Sequence, residues 1–316
     1  MQEVQRAAAA MLEQIEGVIY GKTPTLKLVL AGLFAGGHLL LEDVPGTAKT
    51  LLAKALAKSV GGKFRRVQGT PDLLPGDVTG SSIYNPAKGS FRFQPGPVFA
   101  NILLVDEINR ATPRAQAALL ECMAERQVSA EGRSFALEPP FFVIATQNPV
   151  DHEGTFPLPE AQLDRFLMRL SIGYPPFEAE VEMLARSAGD PLGTVKQVVE
   201  PKRLVALQEA VRRVHVADTV RSYVVQLVSA TRKSEDLILG AGPRASKALY
   251  GSAQAWAAMD GRDHVLPDDV KRMIAPVLHH RVILGPEGRL SGKTSAQAVE
   301  ASIRLVPAPS GNVRGR

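Results

Sequence analysis

The sequence has one cysteine, Cys122, so an intrachain disulfide framework is excluded. Its neighbours Leu119, Leu120 and Met123 form a helical, apolar setting, which reads as a small buried residue and not a nucleophile. A reducing compartment fits this usage. No uninterrupted apolar run reaches membrane-spanning length, and the start of the chain lacks a charged, apolar, small-residue leader pattern. The cytoplasm is therefore the expected location, without direct membrane insertion. No long Lys/Arg block occurs: 37 basic and 32 acidic residues are interspersed, and a net charge of +5 spread in this way gives only weak support for a nucleic-acid partner. The six histidines (His38, His152, His215, His264, His279 and His280) show no metal-ligand spacing with cysteines or acids, which argues against a structural zinc. The adjacent pair His279-His280 points apart on a helix and reads as surface residues or as packing within a helical part of the chain. No internal repeat or low-complexity tract is present.

What remains is a chain of 316 residues, 45% hydrophobic and 22% charged, large enough for a sizeable core and for two domains. Val4, Ala8, Met11, Leu12 and Ile15 recur at helical spacing and predict an opening amphipathic helix that stops near Gly17, followed by a short apolar turn, Val18–Gly21. A second helix runs through Leu33. His38–Glu42 then reads as a buried parallel strand before a Gly/Pro turn, and similar runs recur at Phe64–Gln68, Asn101–Val105, Phe141–Ala145 and Leu167–Ile172. Strands alternating with helices predict a parallel α/β sheet of five strands. Between Asp77 and Val98, Ser81–Tyr84 and Phe91–Phe93 are separated by Asn85-Pro86 and Lys88-Gly89, which predicts an inserted β-hairpin. A second hairpin is expected at Gln127–Leu137, turning at Glu131-Gly132. Pro175-Pro176 marks a change of composition. From Glu178 the periodicity is helical without convincing strands, in segments Glu178–Arg186, Lys202–Val211, Asp218–Ser229, Ala245–Ala258 and Pro267–Val277. The expected organisation is an α/β core over 1–175, an all-α domain over 176–306, and a disordered Pro/Gly/Ser/Arg-rich tail over 307–316.

Chemistry concentrates at three strand ends. Asp43-Val44-Pro45-Gly46-Thr47-Ala48-Lys49-Thr50 follows a predicted strand and opens a predicted helix, the context of a phosphate-binding loop. There the backbone N–H groups and the helix N-terminus face phosphates, Lys49 supplies a point charge, and the Thr50 hydroxyl ligates Mg²⁺. The match is imperfect, because Asp43 stands where the usual pattern has its first glycine and Ala48 where it has the glycine before lysine. Ile102–Asp106 is a buried strand that delivers Asp106 and Glu107 to its C-terminal edge, where open α/β sheets bind ligands. Asp106 suits Mg²⁺ and its hydration shell, and Glu107 suits a general base acting on water. The competing reading is a pair of acids capping the helix that begins near Pro113. A third strand ends in Thr146-Gln147-Asn148-Pro149, where an amide could contact the γ-phosphate and the water, or simply form a turn before proline.

These segments together resemble the AAA+ ATPases, and in detail their MoxR branch. The resemblance is carried by Val44-Pro45-Gly46-Thr47-Ala48-Lys49-Thr50, by Asp106-Glu107-Ile108-Asn109-Arg110-Ala111-Thr112-Pro113, by Ala145-Thr146-Gln147-Asn148-Pro149 and by Leu158-Pro159-Glu160-Ala161-Gln162-Leu163-Asp164-Arg165-Phe166. It spans most of Gly21–Tyr174. Asp43 and Ala48 look like variants that the family tolerates. The resemblance implies an AAA+ P-loop core with β-hairpin inserts and a C-terminal helical lid. It also implies Asn148 as sensor 1, Arg165 as an arginine finger acting on a neighbour's nucleotide, and Arg244 in Gly242-Pro243-Arg244-Ala245-Ser246 as sensor 2, in its own subunit or the next. Without it, Arg165 reads as a surface ion pair with Asp164 or Glu160, and Arg244 as a solvated residue at a helix start. The ATP site it implies comprises Val18, Ile19, Tyr20 and Gly21 against the base, with Val44, Pro45, Gly46, Thr47, Ala48, Lys49, Thr50 and Leu51 at the phosphates, and Arg244.

The expected function is thus Mg·ATP hydrolysis in a ring oligomer, a hexamer, coupled to remodelling or maturation of other proteins. The family implies partners carrying von Willebrand factor A domains, with their clients. The hairpins at 77–98 and 127–137 match the helix 2 insert and the hairpin before sensor 1. Two alternatives stand beside this. A nucleic-acid motor of the same clade fits the basic balance and the hairpins, although there is no room for an added nucleic-acid-binding domain. A P-loop kinase for a small molecule fits the loop but leaves the finger, second sensor and lid without a role.

Overall fold

In the computed structural model, residues 1–87, 89–130, 132–149, 154–185 and 190–309 are described. His152, Arg186, Lys88, Glu131, and residues 310–316 of the tail expected to be disordered over 307–316 lie outside them.

The chain opens with α1 (Gln2–Glu16), which buries Val4, Ala8, Met11 and Ile15 on one face, and α2 (Thr23–Ala35), which ends where Gly36 turns left-handed at φ 70°. β1 (Leu39–Glu42) leads through the phosphate-loop segment into α3 (Lys49–Val60), and β2 (Phe64–Gln68) follows. A short helix, α4 (Pro75–Thr79), precedes a hairpin of β3 (Gly80–Asn85) and β4 (Ser90–Pro95). β5 (Ile102–Asp106) and α5 (Pro113–Glu125) come next, with Thr112 Oγ1 accepting from the Ala115 N–H as N-cap. The second hairpin pairs β6 (Gln127–Ala130) with β7 (Arg133–Ala136). β8 (Phe142–Gln147), the four-residue α6 (Glu160–Leu163) and β9 (Met168–Leu170) complete the α/β part.

The sheet has strand order β2-β5-β8-β1-β9, all parallel, so the expected five-stranded sheet is present. Successive side chains along a strand point to opposite faces. Leu39, Leu41, Ile102 and Leu104 accordingly join an apolar core with α1, α2 and α3, while Leu40, Leu103 and Val105 join a second with α5 and the hairpins. The inner strands β1, β5 and β8 therefore read as near-continuous apolar runs, as a sheet covered on both faces requires, while the edge strands β2 and β9 carry Arg65, Arg66 and Arg169.

Beyond Pro175-Pro176 come α7 (Phe177–Ala185), α8 (Pro201–Arg212), α9 (Asp218–Thr231), β10 (Leu237–Leu239), α10 (Pro243–Met259), α11 (Pro267–Leu278), β11 (Ile283–Leu284), α12 (Pro286–Leu290) and α13 (Ser295–Ile303). The five expected helices are present, and at every end that falls on described residues the shift is no more than two residues. The part is helical except for one small antiparallel pair, β10 with β11, which the sequence reading did not foresee. Strands of three and two residues are too short for an alternation to register. The first apolar core continues from the sheet through α1 and α2 into α8, α9, α10 and α11, so the two opening helices bridge the sheet and the lid.

Candidate functional site

At the end of β1 the chain makes a compact loop in which Gly46 has φ 84° and Ala48 φ 59°. Ala48 thus occupies the left-handed conformation that favours glycine, at a cost of about 1 kcal/mol. It is the N-cap of α3, where the loop meets the helix N-terminus, the setting that anion binding uses. Thr47 Oγ1 donates to the Val44 carbonyl (3.2 Å). Lys49 Nζ folds back on the carbonyls of Asp43 (2.9 Å) and Val44 (2.8 Å). Desolvation pushes the Lys49 ammonium pKa down, while the charges of Asp43, Asp106 and Glu107 pull it up.

β5 lies between β2 and β8, and its end is wired to both. Asp106 Oδ2 receives Arg66 from β2 at 2.7 Å, and Oδ1 receives the Thr146 hydroxyl from β8 at 2.7 Å. Thr146 Oγ1 in turn accepts the Glu107 N–H (2.9 Å). Glu107 is left-handed at φ 54°, a strained conformation for a residue with a Cβ and one that recurs at functional sites. Its Oε2 accepts from Gln68 Nε2 (2.9 Å) and, at the long distance of 3.4 Å, from Arg110.

Two neighbouring cavities result. One, of about 420 Å³, is lined by Pro45–Leu51 together with Asp43, Asp106, Glu107, Thr146, Gln147 and Asn148. The other, of about 500 Å³, shares Gly46, Thr47, Ala48 and Leu51 and is otherwise largely apolar. Its walls are Val18, Ile19 and Tyr20, the linker Ile172–Pro175, and Ala179, Met183 and Leu184 of α7. A polar, loop-lined cavity opening onto an apolar one has the chemistry of a nucleotide site: phosphates on one side, a flat base on the other.

The structure thus brings together Val18, Ile19, Tyr20, the Pro45–Leu51 run, Asp106, Glu107 and Asn148. Val44 contributes through its carbonyl to Lys49. Gly21 does not line the apolar cavity: at φ 67°, its bare Cα packs on Pro176 and Ala179, where a Cβ would come within 2.9 and 2.7 Å. Arg165 and Arg244 are not among the residues lining either cavity. Arg165 is exposed, and the ion pair with Asp164 does not form. The Asp164 carboxylate is instead taken by two lid residues, Arg281 (2.8 Å) and Arg244 (3.4 Å). Arg281 is buried and also donates to the carbonyls of Phe166 (2.5 Å) and Leu167 (3.1 Å), clamping the segment that carries Arg165.

The sequence reading missed Arg66, Gln68, Thr146, Arg281 and the linker residues. Arg66 and Gln68 stand on β2, whose C-terminal end is the same sheet edge that flagged the two acids. Applying that rule to β2 would have found them.

Comparison with known proteins agrees with this geometry. The profile for the ATPase family associated with various cellular activities (AAA) matches residues 38–168, and an AAA lid domain profile matches 229–302. The uncharacterized protein YeaC of Bacillus subtilis is 46% identical, over 94% of this chain and 93% of its own length. Chaperone MoxR1 of Mycobacterium tuberculosis is 45% identical over 89% of this chain and 77% of its own, and protein MoxR of Paracoccus denitrificans 35% over 94% of each. A crystal structure of a Cytophaga hutchinsonii protein described as a candidate ATPase superposes with a TM-score of 0.90 at 38% identity, covering 98% of this chain and 97% of that one. The chain belongs to the MoxR family of AAA+ ATPases.

Proposed function

We propose that this protein binds Mg·ATP at the paired cavities and hydrolyses it in an oligomeric ring of six, using the energy to remodel or mature partner proteins. The observation that carries the reading is the single cavity uniting Lys49 and Thr50 with Asp106, Glu107 and Asn148. Residues 1–175 form the nucleotide-binding core in this reading and 176–306 the lid, and the protein works in the cytoplasm.

Magnesium takes few protein ligands and shares phosphate oxygens, so a threonine hydroxyl beside one carboxylate fits it. Thr50 and Asp106 line the same cavity and would hold the ion, which supplies neutralisation of phosphate charge. Among the described residues no group of three or more His, Cys, Asp or Glu could hold a metal.

On nucleotide binding, Lys49 exchanges the carbonyls of Asp43 and Val44 for the outer phosphates. Glu107 takes a proton from the attacking water, and its bond to Gln68 holds it aside until the site is filled. Asn148 orients the γ-phosphate and that water. Arg165 completes the neighbouring subunit's site, where an arginine finger contributes about 10³–10⁵ in rate. Arg244, attached to the same Asp164 that adjoins Arg165, acts on that same neighbouring site. The remodelling role rests on the family and on a relative named as a chaperone. The expected partners are von Willebrand factor A domain proteins and their clients, with no specific nucleic acid.

The Glu107→Gln protein tests this. ATP affinity should stay within about twofold while turnover falls by about 10²-fold or more, since only the base is lost. Undiminished turnover would remove Glu107 from the mechanism. A pull-down with the same variant and ATP should retain the clients.

A further inference from the structure

Asp43 stands where the usual phosphate-loop pattern has a glycine, and none of the steps above uses its side chain. It is nevertheless buried, with 5% of its surface exposed. A carboxylate removed from water is costly unless donors surround it. Asp43 has three, all on one short segment: Oδ1 accepts from Ser171 Oγ (2.8 Å) and from the Gly173 N–H (3.0 Å), and Oδ2 from the Ile172 N–H (2.5 Å).

That segment leaves β9 and becomes the linker to the lid. Ile172, Gly173, Tyr174 and Pro175 form one wall of the apolar cavity, and α7 behind them forms another. On its other side Asp43 adjoins the phosphate end, since its own carbonyl accepts from Lys49 Nζ. One residue therefore touches both halves of the site: its backbone meets the phosphate-binding lysine, and its side chain fixes the wall against which the base would lie. A glycine here could not supply the second contact. The Ile172 and Gly173 N–H groups would lose their partner, and the linker would have to be ordered anew each time a base entered, at a cost in affinity.

Resting on the ATP reading above, we propose that Asp43 is a positioning residue that pre-organises the linker wall, so that affinity for the base half of the nucleotide, and not for its phosphates, depends on it. The prediction separates the two halves chemically. Titration calorimetry with Mg·ATP and with magnesium tripolyphosphate, which has the phosphate chain and no base, is run on the wild type, Asp43→Gly and Ser171→Ala. Asp43→Gly, which also removes a negative charge from the lining of the phosphate cavity, should weaken Mg·ATP at least tenfold relative to tripolyphosphate, whose own affinity should not fall. Ser171→Ala, which removes one donor and leaves the loop untouched, should weaken Mg·ATP about threefold with the same selectivity, and it carries the test if the glycine variant fails to fold. Equal losses for both ligands would reduce Asp43 to a shaper of the phosphate loop and overturn the inference, as would unchanged ATP affinity in both variants. A wild type that binds tripolyphosphate but gains nothing from the base also overturns it, whereas a wild type that binds neither ligand sinks the nucleotide reading itself.

Discussion

His38 sits inside the packing between β1, β8 and the end of α5, where each ring nitrogen has one partner. Nε2 donates to the Met123 carbonyl (3.2 Å), and Nδ1 accepts the Val143 N–H (3.0 Å). That arrangement needs the neutral ring, and burial lowers its pKa to about 4. Above about pH 6.5 the ring is neutral folded or unfolded, so its contribution is fully present. As pH falls from about 6.5 toward about 4, the unfolded chain binds a proton that the folded one refuses, and stability drops by about 2 kcal/mol at pH 5. His280, buried and bonded to the Phe166 carbonyl, is also pushed down by desolvation and adds in the same direction. His38→Gln can donate and accept without titrating. Urea unfolding at pH 7.5 and pH 5 should therefore show a shallower loss in that variant, and identical losses would dismiss this role. Residue-level chemistry was partly legible beforehand. Cys122 reads as inert from its helical neighbours, and burial indeed raises its thiol to about 11. The pairing of Asp164 with Arg281 was not legible, because Arg281 reaches it across more than a hundred residues of chain.

At the scale of elements, the contact that places Glu107 is the close approach of β2 to β5. Gln68 stands in register with Asp106, and the next residue, Gly69, donates its N–H to the Asp106 carbonyl (2.7 Å). A Cβ on Gly69 would come within 2.1 Å of the Glu107 carbonyl oxygen, a backbone atom with no freedom to yield. Gly69→Ala should therefore push the Glu107 segment aside. Turnover is expected to fall by about 10²-fold, the scale set by a misplacement of about 1 Å. ATP binding should persist, because the phosphate loop hangs from β1, on the far side of β8. Gly251→Ala, where an added Cβ meets nothing within 4 Å, is the control and should leave the rate unchanged. Equal rates in the two variants would mean that this approach does not position the base. The sheet-edge rule could flag Gln68 as a residue, but not its pairing with Glu107, which depends on which strand lies beside β2. An apolar run marks β5 as a strand, but the order β2-β5-β8-β1-β9 is a non-local fact that no local period encodes. α13 was different: Thr294 and Gln297 form a capping box that a search for that spacing would have found.

For the whole molecule, the division of the site between subunits is the decisive question. Arg165 is exposed and is not among the residues lining either cavity, yet its segment is held firmly by Arg281 and His280 from the lid. A guanidinium displayed on a clamped segment and pointed at nothing in its own site is suited to a head-to-tail contact, in which one subunit's surface meets a different surface of the next and the rotation closes a ring. Two defective proteins then repair each other. Glu107→Gln lacks the base but keeps the finger, and Arg165→Ala lacks the finger but keeps the base. Each alone should turn over ATP poorly. Mixed in equal amounts under conditions of subunit exchange, about one quarter of the contacts place an intact base opposite an intact finger, so up to about one quarter of wild-type activity should return. If Arg165 acted on its own subunit's nucleotide, every site in the mixture would carry one defect, and the rate would equal the average of the two variants measured apart.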